Sequence, residues 1–195
     1  MNKKKIIQIG IIIFVIVFVA ICIAIVQFSK KDLEEAKKGL EETQKKYGWV
    51  EKENIDVLVA KFNTQVMDND SSSLNPASTD YLTESNNEYW YGLIEGVYLV
   101  VVPEKYTGDK TKETVNYTLL YVDKTSKYES DAISYIKHLI KANNSEITDS
   151  EIDTLLEDAK TKTNSGKTAN NGKGISIGYT ENDETYQYQV LRLYK

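Results

Sequence analysis

The sequence predicts an α+β protein, a single N-terminal transmembrane helix followed by one outer domain, whose mostly antiparallel sheet has about five strands and two to three helices. Three observations predict it. An 18-residue apolar run, Ile9 to Val26, stands at the start. Beyond it, elements of one type come in runs rather than in strict alternation: helix, three strands, two helices, two strands. Two β-rich pairs flank short turn signals, Glu95-Gly96 and Asn182-Asp183, as antiparallel hairpins require.

The apolar run contains 14 Ile, Val or Phe residues, and no charge occurs between Lys5 and Lys30. At about −0.4 kcal/mol each, these residues favour the bilayer by roughly 6 kcal/mol. The run spans about 27 Å as a helix, close to the hydrocarbon thickness. Residues 6–28 are therefore expected as an uncleaved signal anchor, with Ile9, Ile13, Phe14, Phe18 and Ile25 in the lipid bilayer. A cleaved signal has a shorter apolar region that ends at a small-x-small site. A lipoprotein would carry lipid on Cys22, but Ile21 precedes that cysteine and apolar residues follow it. Lys3, Lys4 and Lys5 place the five-residue tail, 1–5, in the cytoplasm. The rest is then expected outside a single-pass bacterial cell membrane. It holds 21 cationic side chains against 29 acidic ones, a formal charge of −8.

Residues 29–48 read as a charged helical stalk. Glu34–Lys38, Glu41–Lys45 and Glu42–Lys46 are i,i+4 pairs in the favourable order, each adding about 0.3 kcal/mol. Gly39 costs about 1 kcal/mol and cancels most of that. Leu33, Ala36, Leu40 and Tyr47 are too few to specify a coiled coil.

The outer domain, 49–195, has 147 residues and can bury about two-thirds of its unfolded surface. Asn54 can cap a helix to about Asp68, although the alternation Ile55, Val57, Val59 also fits a strand. Residues 68–87 form a long polar loop. It opens Asp68-Asn69-Asp70, but Ser73 and Thr79 stand where a calcium loop needs Gly and Glu. Strands are expected at Tyr89–Ile94, Val97–Val102 and Thr114–Val122. The second is apolar on both faces and stops at Pro103. A helix capped by Ser126 or Ser130 carries Ala132, Ile133, Ile136, Leu139 and Ile140, and ends at a left-handed Asn143-Asn144. The next starts at a capping box, Thr148 with Glu151, and a staple, Ile147 with Ile152. After a polar loop, Lys162–Lys173, two strands close the chain at Ile175–Tyr179 and Thr185–Tyr194.

Composition excludes several functions. The chain has 23 Lys but one Arg, with 19 Ile, 14 Asn and 14 Tyr, the usage of AT-rich bacterial codons. A net charge of −5 argues against a nucleic-acid binder. One Cys and one His exclude an intrachain disulfide and multi-Cys or multi-His metal sites, and no metal or cofactor is expected. His138 is expected on the helix surface, without a nucleophile. Gly172, Gly174 and Gly178 lead into a strand and not a helix, so they do not read as a phosphate loop. The acid pairs Glu157-Asp158 and Asp183-Glu184 read as solvated faces.

The aromatic residues are more informative. Tyr89, Trp90 and Tyr91 are consecutive in one strand, so at least one ring points away from the core. Tyr186, Tyr188, Arg192 and Tyr194 alternate onto one face of the last strand and include the only guanidinium. Tyr, Trp and Arg are enriched at interface hot spots. These seven residues are the candidate partner-binding set, and no catalytic residue is identified. The expected function is a non-enzymatic interaction module of a bacterial envelope, its partner another envelope protein. The alternatives are a small cell-wall hydrolase or transferase using carboxylates, and an immunity or accessory subunit. The layout is similar to that of small envelope proteins of Gram-positive bacteria.

Overall fold

The computed structural model describes residues 34–35, 37–39, 41–42, 48, 50–69, 74–78, 83–85, 87–170 and 172–193. Lys3, Lys4, Lys5 and the anchor residues Ile9, Ile13, Phe14, Phe18 and Ile25 lie outside them, as does Tyr194. No helix among the described residues is long and apolar enough to cross a membrane. The chain divides into two compact units, Met1–Gln44 and Lys45–Lys195. In the first, the described residues between Glu34 and Glu42 are helical and exposed.

The second unit opens with helix α1, Ile55–Asn69. Helix wins over strand here because Ile55, Leu58, Val59, Phe62 and Val66, spaced by three and four, are buried while Val57 is exposed. Asn54 caps it, its Oδ1 accepting from the Val57 N–H at 3.0 Å. Part of the segment expected as a loop is tied down. Asn63 exchanges two side-chain hydrogen bonds with the backbone of Ala77, and the Tyr135 hydroxyl does the same with Asn75.

Strands β1 (Thr83–Ser85), β2 (Glu88–Ile94), β3 (Val97–Pro103) and β4 (Val115–Asp123) form an antiparallel meander. Gly96 turns β2 into β3 at φ +79°, and a Cβ there would meet Ser126 at 2.7 Å. A 3₁₀ turn, Glu129–Asp131, leads into α2, Ala132–Asn143. Its cap is Asp131, without a side-chain bond, and neither Ser126 nor Ser130. Ser126 instead donates to the Glu95 carbonyl and pins the hairpin turn. Asn144 is extended at φ −155° and not left-handed, because its side chain reaches the Lys173 carbonyl. Helix α3, Asp149–Thr161, starts at the predicted capping box, with both reciprocal bonds formed.

Strands β5 (Ala169–Asn170), β6 (Ile175–Glu181) and β7 (Thr185–Arg192) follow. The sheet order is β1-β2-β3-β4-β7-β6-β5, antiparallel throughout. It has seven strands instead of about five. The extra two are edge strands of three and two residues, too short for an alternation of their own.

The core lies on one face of this sheet. Tyr91, Leu99, Leu120 and Tyr188 form one of its rows, and the buried stripes of α1, α2 and α3 join the same cluster. Because α2 packs against α1 as well as the sheet, it is buried on more than one side. His138, expected at the surface, is therefore buried at 8% exposure.

Candidate functional site

Arg192, Tyr186 and Tyr188 share one face of β7, as period two requires, and it is the face that the helices cover. The Arg192 side chain is 1% exposed. One guanidinium nitrogen donates to Glu53 Oε1 at 2.7 Å and to Asn143 Oδ1 at 2.8 Å, the other to the Glu51 carbonyl at 3.0 Å. Glu53 also receives Lys61. The fork is spent on an internal corner joining the end of β7, the segment before α1 and the end of α2. Charge alone does not predict this, because a surface arginine and a buried one look alike in a sequence.

The consecutive aromatic residues of β2 divide between the faces. Tyr89 and Tyr91 enter the core, while Trp90 points to the opposite face. There Trp90 packs on Tyr98 and Tyr121, with centroids 6.1 and 5.5 Å apart and the rings edge to face. Tyr98 and Tyr121 close the triad at 6.3 Å. Glu88 accepts the Trp90 indole N–H at 3.2 Å. The strand register sets Trp90, Val100, Leu119 and Gln189 in one row of this face, and Val102, Tyr117 and Leu191 in another. Val100 is fully buried here, outside the main core cluster, beneath its neighbours on the sheet. The three helices bury their stripes on the other side. Trp90, Tyr98, Tyr117, Leu119 and Tyr121 are half-buried, and none of them joins the core cluster that the helices cover. Tyr98, Tyr117, Leu119 and Tyr121 were not singled out from the sequence. The signal was there: β3 and β4 are apolar on both faces, but this pattern does not distinguish a covered second face from an open one.

Concavities among the described residues open on the covered side. An open groove of about 640 Å³ runs between α1 and the α2–α3 turn, with Val57, Ala60 and Ala142 along it and Lys61 and Lys141 beside them. Both lysines are engaged, Lys61 with Glu53 and Lys141 with Asp149. A smaller notch of about 330 Å³ opens where the helices stop short of the β6–β7 end of the sheet. Tyr179, Tyr186 and Tyr188 line it, their centroids 4.8 to 6.0 Å apart. Burial pushes the Tyr186 phenol up to about 12, and raises Tyr179 and Tyr188 as well.

Six carboxylates are held as anions by their surroundings. Glu113 is buried, which by itself raises its pKa. Hydrogen bonds from the Thr107 backbone and hydroxyl, from Tyr89 and from the Gly108 N–H outweigh that cost and leave it below the usual range. It braces the turn after Tyr106. Hydrogen-bond donors likewise lower Asp109, Asp123, Asp149, Glu151 and Glu181. A general acid needs the opposite shift. No cluster of three or more His, Cys, Asp or Glu among the described residues could hold a metal ion.

Comparison with protein families, with curated proteins and with solved structures finds no match to this chain.

Proposed function

We propose that this protein is a membrane-anchored, extracytoplasmic interaction module of a bacterial cell envelope, and that it binds another envelope protein through the open aromatic face of its sheet. The single observation that supports the reading is the Trp90–Tyr98–Tyr121 triad, set among apolar neighbours on a face that no described helix covers. Contiguous apolar patches of this kind mark interaction sites, and Trp and Tyr dominate their energetics. The anchor rests on the uncharged run after Lys3, Lys4 and Lys5. An immunity or accessory subunit would use the same surface. Catalysis by carboxylates gains no support from acids whose surroundings lower their pKa.

The test has two arms in a Gram-positive host. An export-dependent reporter fused after Lys195 should be active, and the protein should keep its full mass. A photo-crosslinking residue at Tyr121 should trap a discrete envelope protein, and Trp90→Ala should abolish the adduct without lowering expression. An inactive reporter removes the topology. An adduct indifferent to Trp90→Ala removes the aromatic face as the site.

A further inference from the structure

The notch at the end of the helix layer is a second site, on the side of the sheet opposite the aromatic face. It lies at the start of β7, whereas the incoming segment joins the other end, Val50 donating to the Leu193 carbonyl. The two ends are about 23 Å apart along the strand. Three features distinguish it from an ordinary surface dimple.

Its floor is aromatic. Tyr186 and Tyr188 meet edge to face at 88°, and Tyr179 lies 4.8 Å from Tyr188. Its rim carries both signs of charge, Lys124 and Lys160 against Glu129 and Glu181. Lys124 and Glu181 are spent on each other and on Asn182 and Tyr179. The Lys160 ammonium, the Glu129 carboxylate and the Ser130 hydroxyl make no hydrogen bond among the described residues. The third feature is Tyr188. It is 1% exposed, yet among the described residues its hydroxyl makes no hydrogen bond, and it lines the notch. Its ring is buried, and the hydroxyl borders the notch, where a ligand can take the place of solvent as its hydrogen-bond partner. Tyr179 and Tyr186 find theirs in Glu181 and the Glu129 carbonyl.

We propose that this notch binds one neutral saccharide unit, a hexose or an N-acetylated hexosamine. A sugar ring has an apolar C–H face and a rim of hydroxyls that both donate and accept. The half-buried Tyr179 ring, with Ile133 beside it, supplies an apolar surface for the first. Tyr188, Glu129, Lys160 and Ser130 supply donors and acceptors for the second. Two lysines balance two glutamates, so a net anion or cation gains little. At about 330 Å³ the notch is at the small end of ligand sites, which favours one ring over a longer segment. The site does not depend on the aromatic face, and the test keeps the two apart.

The full chain, purified in a detergent without a sugar headgroup, is titrated with N-acetylglucosamine and with its β-1,4 disaccharide. Saturation-transfer NMR reads the contact. Transfer to ring hydrogens at millimolar sugar is expected. Tyr188→Phe should weaken binding about fivefold or more, the effect of one lost hydrogen bond, at an unchanged melting temperature. Lys160→Ala should weaken it too, and Trp90→Ala should leave it unchanged. Absence of transfer from either sugar overturns the proposal. So does full affinity in Tyr188→Phe, or displacement of the sugar by choline or by inorganic phosphate, which would make the ligand a charged one.

Discussion

Arg192 and Glu53 are 139 residues apart in sequence and 2.7 Å apart in the structure, and the Arg192 side chain is almost wholly buried. The pair closes the domain, because it joins the end of the last strand to the segment that precedes the first helix. A buried charge that loses its partner keeps its desolvation cost and gains nothing in return. Glu53→Ala should therefore destabilise the domain by about 3–5 kcal/mol, and Arg192→Lys by less, since an ammonium cannot reproduce the fork to Glu53, Asn143 and Glu51. Thermal melting checks both. A melting temperature within a degree or so of wild type for Glu53→Ala would show that the corner contributes little.

The start of α3 makes stability depend on acid. Glu151 accepts from the Thr148 backbone and from Lys173, which hold its pKa down to about 2 against an ordinary 4.5. The folded state thus binds its proton less readily than the unfolded chain. Stabilisation from this group is present in full above about pH 4.5 and is lost as pH falls towards 2. Denaturant midpoints measured across that window should fall with pH, and Glu151→Gln should flatten the slope. An unchanged slope would show that other carboxylates carry the acid sensitivity.

Removing the cap itself should cost less than removing core. Thr148→Ala leaves the Glu151 N–H without its oxygen, at about 1 kcal/mol. Leu156→Ala, on the buried stripe of the same helix, should cost about 2–5 kcal/mol. Urea unfolding of the two variants should preserve that order, and a reversed order would mean that α3 packs more loosely than its burial indicates.

Gly48 sits at φ +70°, where a Cβ would lie 2.4 Å from the Gly172 carbonyl oxygen and 2.8 Å from the Gly174 nitrogen. Both neighbours are backbone and cannot rotate away. Gly48→Ala should lower the melting temperature by several degrees and speed amide exchange at Leu193, whose N–H donates to the Gly174 carbonyl. Unchanged exchange at that amide would place the strain elsewhere.

Local chemistry alone determined a good part of this protein. The capping box at Thr148 and Glu151, the Glu95-Gly96 turn, the period-two faces of β2 and β7 and the 3.6-residue stripe of α3 were each legible, because each depends on residues within a few positions of one another. Tertiary structure decided the rest. Whether the face holding Arg192 was open or covered depended on where α2 and α3 came to lie, and the partner that neutralises Arg192 comes from the other end of the domain. The same packing buried His138, completed two edge strands that have no pattern of their own, and left the half-buried Trp90 face outside the core cluster. Amphipathic periodicity says that an element has two faces. Only the packing of elements distant in sequence says which of those faces meets water.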